Sequence, residues 1–343
     1  MLAHKKMVVG FDGFIDTTVR PIRQSATQTT DTIYFDTIKE FGEFLVGKAG
    51  KSCSIELTVE QKNVGGNLSF LTQAVGTLGA TMTSIGMLGK NGNIQEMFHS
   101  LPSQLYSFAD PGEAMCLEFK DGKIMLAPTY ELAEEAWELI QKETNQKTPE
   151  LLQAADLTAM LNWSELTFSQ ELWEKVYQVA FSTGSKERYV FFDLCDISRK
   201  SKEEIHSVLS LIGKFSEKNT GILSLNENEA LMIGERIFTN LTNFTDIALD
   251  ICKNYRIDEV IIHATKKSLI ATKRGVYEQA TTFVENPKKT TGAGDHFNGA
   301  ICFATLLALS DEERITFAND VGNFYVRNGY SPTVEELDLS FEN

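Results

Sequence analysis

The sequence predicts an α/β fold: a central, mostly parallel sheet with helices on both faces. Three observations carry that reading. From Leu132 onward short apolar strands alternate with helical segments, the pattern of a parallel sheet covered on both sides. The opening strand, Met7–Phe11, runs into Asp12-Gly13, and ligands of such sheets bind beyond strand C-termini. Near the other end of the chain, the turn Lys289-Thr290-Thr291-Gly292-Ala293-Gly294-Asp295 opens an apolar run through Leu309 that is long enough for a helix.

In chain order, Asp12 and Asp16 are candidates to accept hydrogen bonds from substrate hydroxyls, with a plain turn role as the alternative. Thr27–Thr32 is polar and predicted to be loop, and Tyr34–Val46 has helical spacing. Ser54–Val59 alternates as a strand does, and its distance from the first strand suggests a small second sheet. Gly65, Gly66 and Asn67 then precede an apolar helix over Leu68–Leu78. The glycine pair would let backbone approach a ligand, and Asn67 would bond a hydroxyl or cap the helix. Thr81–Ile85 is a strand. Ala114–Phe119 and Lys123–Leu126 flank Asp121-Gly122, a hairpin signal, and this hairpin is expected to partner Ser54–Val59.

The regular alternation follows: helix Leu132–Lys142, strand Leu157–Leu161, helix Gln170–Phe181, strand Tyr189–Phe192 ending in Asp193. Helix Lys202–Lys214 and strand Gly221–Leu225 lead to Asn226-Glu227-Asn228-Glu229. Helix Thr245–Asn254, strands Glu259–His263, Ser268–Thr272 and Thr281–Val284, and helix Glu312–Val326 complete the reading.

Composition narrows the function classes. A chain of 343 residues with 42% hydrophobic content can bury a sizeable core. A formal charge of −15 without any basic cluster interleaved with aromatics argues against nucleic acid and against an anionic membrane surface. The 5 cysteines are scattered without C-x-x-C, so neither a disulfide framework nor a zinc site is indicated. No signal-peptide or transmembrane-length run is present, and the expected setting is soluble and cytoplasmic.

The turn at Gly292 has its own chemistry. The first N–H groups of a helix lack intrahelical partners and sit at the positive end of the helix dipole. Gly292, Ala293 and Gly294 leave that backbone bare, so an anion can sit there. Thr290 and Thr291 are suited to cap the helix. Asp295 adds a carboxylate, which a resting anion does not need. A reaction that deprotonates a hydroxyl while negative charge builds nearby would use both. A glycine-rich cap on a core helix is the alternative for the turn taken alone.

Gly65-Gly66, Asn226-x-x-Glu229 and Thr290–Asp295, in that order, resemble the ribokinase-like (PfkB-type) carbohydrate kinases over about the whole chain. The resemblance implies a single domain, 1–343, with a small β-sheet lid built from about 17–62 and 110–130. It implies transfer of the ATP γ-phosphoryl group to a hydroxyl of a sugar or sugar-like substrate. Asp295 would be the general base, and the backbone of Gly292, Ala293 and Gly294 the anion hole. Asn226 and Glu229 would organise Mg²⁺ through water. Asp16 and Gly66, with Gly65, Asp12 and Asn67, would bind the acceptor. Thr290, Thr291 and Lys289 would border the nucleotide, and Asn319 would line the adenine site. An exposed lid sheet would also permit two copies to pair lid to lid.

This chain departs from the family pattern at several positions. Lys289 replaces an Asp that in many relatives helps hold a monovalent cation, and its ammonium could replace that ion; a solvated loop role is the alternative. Phe70 stands where Asn is usual, and His263-Ala264-Thr265 where Thr-x-Gly approaches the nucleotide. Arg199 follows Asp193 at an altered spacing, reaching a phosphate or lying on the surface. A catalytically inactive ligand-binding or regulatory protein, or a nucleoside kinase, are the competing readings.

Overall fold

The computed structural model describes residues 4–27, 31–128, 135–184 and 186–337. In chain order its strands are β1 (Lys6–Gly10), β2 (Phe14–Gln24), β3 (Ile33–Tyr34), β4 (Leu57–Gly65), β5 (Thr81–Gly86), β6 (Gln104–Ser107), β7 (Gly112–Phe119) and β8 (Gly122–Leu126). The second part of the chain adds β9 (Leu157–Met160), β10 (Tyr189–Asp193), β11 (Thr220–Asn226), β12 (Glu259–His263), β13 (Lys267–Thr272) and β14 (Gly275–Ala280). The helices are α1 (Ile38–Val46), α2 (Asn67–Thr77), α3 (Ala136–Glu143), α4 (Thr148–Ala154) and α5 (Ser169–Val176). They continue with α6 (Lys202–Lys218), α7 (Glu227–Arg236), α8 (Phe244–Tyr255), α9 (Ala293–Leu306) and α10 (Asp311–Asn328).

The large sheet has the order β14-β13-β12-β11-β10-β9-β1-β5-β6. It is parallel from β12 to β6, with β13 and β14 antiparallel at one edge. Both faces of its inner strands are buried, which explains why those strands read as continuous apolar runs. Val8, Val190 and Phe192 pack into one layer with α5, α6 and α8, while Met7, Val9 and Phe191 pack into the other with α2, α9 and α10.

The small sheet is centred on β2, which pairs antiparallel with β4 and parallel with β7. Alternate residues of a strand face opposite sides. One face carries Val19, Leu117 and Phe119, packed with Phe35 and Phe41 under α1. The other carries Asp16 and, through the pairings Thr18↔Cys116 and Glu118↔Lys123, the side chain of Lys123.

Several local expectations change. The hairpin β7–β8 pairs with β2 and not with the strand read at Ser54–Val59, which itself lies at Leu57–Gly65. Asp16 is within a strand, not a turn. The last edge strand is Gly275–Ala280 rather than Thr281–Val284, because β13 turns back at Lys273-Arg274. Part of the loop read at Thr27–Thr32 and the first turn of the helix read at Leu132–Lys142 lie outside the described residues. Among the described residues no helix is long and apolar enough to cross a membrane.

Candidate active site

The parallel strands deliver a row of polar residues at or just past their C-terminal ends: Asp12 after β1, Asn162 after β9, Asp193 on β10, Asn226 on β11 and His263 on β12. The N-termini of α2 and α9 meet this row. The link is direct, since Asn67 Nδ2 donates to Asp295 Oδ1 at 2.8 Å.

Asp12 has no exposed surface. Its carboxylate accepts from the backbone N–H groups of Asn67 (2.8 Å) and Leu68 (2.9 Å) and from Asn162 Nδ2 (2.9 Å). It therefore caps α2 from outside, satisfying orphan donors of the first turn, and its oxygens are committed within the protein. Burial nevertheless pushes this carboxyl above the usual range. Asn67 does not cap α2 through its side chain; its Nδ2 holds Asp295.

The glycine pair has a packing reason of its own. A Cβ on Gly65 would lie 2.4 Å from Asp16 Oδ2, and one on Gly66 would lie 2.6 Å from Asp12 Oδ2. Gly66 also has φ 84°, a left-handed conformation. The pair makes room for two carboxylates of the same chain. Asp16, raised by burial and eased downward by Lys123 and Lys289, lies on the face of the small sheet opposite α1.

The turn before α9 is built around Gly292, the N-cap, at φ 87° with no side-chain cap bond. The capping role expected of Thr290 and Thr291 is thus not realised. Thr291 Oγ1 accepts from Lys123 Nζ, and the Thr291 carbonyl accepts from Tyr325 Oη at 2.9 Å. Ala293 N–H donates to Thr290 O at 3.1 Å, so it is already paired. The bare donors of the turn narrow to Gly292 and the first helical turn at Gly294 and Asp295. His263 packs beside Gly294, 3.2 Å from where a Cβ would stand. Burial lowers its pKa to about 4, so it is neutral.

Asp295 is pushed well above the ordinary carboxylate range by burial and by the charges of Asp193 and Asp12, against the opposing bond from Asn67. Asp193, raised to about 6 mainly by burial, accepts from Asn298 Nδ2 at 2.7 Å, and Asn298 accepts from Ser224 Oγ. The region is a concentration of carboxylates and would welcome a cation.

Asn226 and Glu229 form a capping box on α7: Asn226 Oδ1 accepts from Glu229 N at 3.0 Å, and Glu229 Oε2 accepts from Asn226 N at 2.9 Å. Burial, then Asp193, raise the Glu229 carboxyl well above its usual value. Asp196, Ser198, Asn226, Asn228, Glu229 and Glu235 line a cavity of about 500 Å³ beside it. These oxygen donors suit a hard cation such as Mg²⁺. Among the described residues no group of three or more His, Cys, Asp or Glu side chains is placed to hold a metal ion. Arg199 pairs with Glu165 and is largely exposed, the surface alternative. Asn319 is buried, accepts from Ser268 Oγ at 3.0 Å and has an unpartnered Nδ2.

Lys289 lies in the loop before α9 and is half-buried. Its ammonium lies 5.5 Å from the Phe70 ring centroid and 5.6 Å from that of Tyr325. Burial lowers its pKa, and Asp16 opposes that. Lys123, Asn162 and Tyr325 were not singled out in the sequence. The strand-end rule would have found Asn162; no local signal marks the other two.

The whole chain, residues 1–343, matches the family model described as prokaryotic ketohexokinase. A ketohexokinase of Haloferax volcanii is 24% identical over 339 residues, covering 97% of this chain and 89% of that protein. Among solved structures, Arabidopsis thaliana ribokinase complexed with ribose and ATP matches at a TM-score of 0.64 and 16% identity, over 99% of this chain and 100% of that one. Phosphofructokinase-2 of Escherichia coli in complex with potassium matches at 0.65 and 14% identity, over 97% of each chain.

Proposed function

Because this chain belongs to the prokaryotic ketohexokinase family, within the ribokinase-like carbohydrate kinases, we propose that the acceptor it phosphorylates with ATP is a ketohexose. The chain is a carbohydrate kinase, and the reading as an inactive binding protein is set aside. The observation that carries the residue roles is the Asn67–Asp295 link, which joins the N-terminus of α2, beside Asp16, to the anion-binding turn.

In this reading Asp295 takes the proton of the acceptor hydroxyl. Its environment supports that role: a carboxyl with a raised pKa is a stronger base when ionised. Gly292, Gly294 and Asp295 N–H groups receive charge on the transferring phosphoryl group, while Ala293, paired to Thr290, holds the turn in shape. Phosphoryl transfer depends mainly on such positioning and charge stabilisation. Asp16 faces the acceptor, with Gly65 and Gly66 giving it and Asp12 room. Asp12 acts by fixing α2. Mg²⁺, held through water near Asn226 and Glu229, would neutralise phosphate charge. Thr290 and Thr291 border the phosphates, and Asn319 offers its unpartnered amide toward the nucleotide side. ATP use supports a cytoplasmic setting. The exposed Val59, Met115 and Leu126 of the small sheet support its roles as lid and as a surface for a second copy, within a single domain.

The cation held between Phe70 and Tyr325 supports a further expectation. With Lys289 supplying fixed charge, turnover in buffers where sodium or choline replaces K⁺ should stay within about twofold of that in K⁺. A large rise with K⁺ would refute the substitution of an ion by Lys289.

The substrate assignment is tested by kcat/KM across ketohexoses, aldohexoses and nucleosides at fixed Mg-ATP. Preference for an aldose or a nucleoside overturns it.

A further inference from the structure

Gly292 is held from three directions, by Phe70, Tyr325 and His296. The Phe70 ring occupies the place of a side chain, since a Cβ on Gly292 would come 2.7 Å from Phe70 Cδ1. Tyr325 Oη donates to the Thr291 carbonyl at 2.9 Å. His296 Nδ1 lies 2.7 Å from the Gly292 carbonyl. A carbonyl only accepts, so Nδ1 carries the proton, and Nε2 accepts from Ser331 Oγ at 2.6 Å. The His296 ring stacks on Tyr325 with centroids 3.6 Å apart and planes 19° from parallel.

The consequence follows from peptide geometry. The Thr291–Gly292 peptide is trans, so its C=O and N–H point opposite ways. Anchoring the Thr291 carbonyl to α10 aims the Gly292 N–H away from it. A left-handed glycine is free to rotate unless restrained, and preorganised donors are what make an anion hole effective.

We propose that Phe70, Tyr325 and His296 form a clamp that presets Gly292, so that Tyr325 and His296 are positioning residues for phosphoryl transfer. The clamp rests on the kinase reading of the turn. Burial keeps both donors in the required state: His296 is lowered to about 4 and is neutral, and Tyr325 is raised and keeps its proton.

Tyr325→Phe tests this with little change of shape, because the ring contacts with His296 and Lys289 remain. The expected result is a fall in kcat of about tenfold, or ~1.4 kcal/mol, the scale of one lost hydrogen bond. KM for the ketohexose should stay within about twofold and the melting temperature near that of wild type. At position 296 Asn can place a donor near the Nδ1 position, and Leu cannot. His296→Asn should therefore retain more kcat than His296→Leu. Wild-type kcat in Tyr325→Phe, or equal losses in the two His296 variants, overturns the clamp. Failure of the substrate assignment looks different, since wild type itself would then give no ketohexose-dependent ADP. In that event Mg-ATP affinity is the readout: at least about threefold weaker binding in Tyr325→Phe supports the clamp, and unchanged binding overturns it.

Discussion

Asp295→Asn is expected to lower ketohexose-dependent ADP formation by about 10²–10⁴-fold, the usual contribution of a general base. Asn keeps the size of the side chain and a carbonyl to accept from Asn67, so Mg-ATP binding and the fold should survive. Stability gives an independent sign. The folded-state pKa of Asp295 is raised well above its unfolded value by burial and by Asp193 and Asp12. Such a carboxyl contributes fully below its unfolded pKa, and that contribution is lost as pH rises through the folded value. At pH 8, far above the unfolded value, the raised pKa therefore costs stability in the ligand-free protein. Asp295→Asn should melt at a higher temperature than wild type there, and the gain should shrink on acidification. A variant that is inactive yet more stable has lost a functional group; one that is inactive and less stable has lost a structural one.

The second large effect is expected at Gly292. Gly292→Ala should reduce kcat by about 10²-fold or more, the effect of losing one anion-hole donor. Two costs combine. A left-handed conformation disfavours Ala by roughly 1–2 kcal/mol, and the new Cβ would meet the Phe70 ring at 2.7 Å. The turn must shift, and the Gly292 N–H shifts with it. Adding Phe70→Ala removes the collision but not the conformational penalty, so the double variant should recover only part of the loss. Wild-type kcat in Gly292→Ala would mean that the turn does not bind the transferring group through this donor.

The inner strands of the main sheet were legible because both of their faces are buried. A run such as Tyr189–Phe192 is apolar throughout and can be read from composition alone. The small sheet was harder. Its central strand, Phe14–Gln24, contains Asp16, Arg20, Pro21 and Arg23 and is half exposed, so neither hydrophobicity nor strand propensity marks it. At the edge of the main sheet, the β-branched Thr281-Thr282 and Val284 drew the expected strand away from Gly275–Ala280, whose position the preceding turn dictates.

The site was legible in outline and less so in its causes. Gly65, Gly66 and Gly292 were visible as glycines, but what fills the space beside them was not. Asp12, Asp16 and Phe70 do so, from distant positions. Lys123 reaches Thr291 across 168 positions of sequence, a contact that only the folded hairpin creates. The Asn226-x-x-Glu229 spacing is also that of a helix capping box, so the same residues carry a structural role that the motif alone conceals.

The most direct test of the account is transfer of the γ-phosphoryl group from γ-labelled Mg-ATP in the presence of a ketohexose. The expected result is label on the sugar in equal amount to ADP released with wild type, and almost none with Asp295→Asn. Label released only as inorganic phosphate, or transferred equally well by Asp295→Asn, would contradict it.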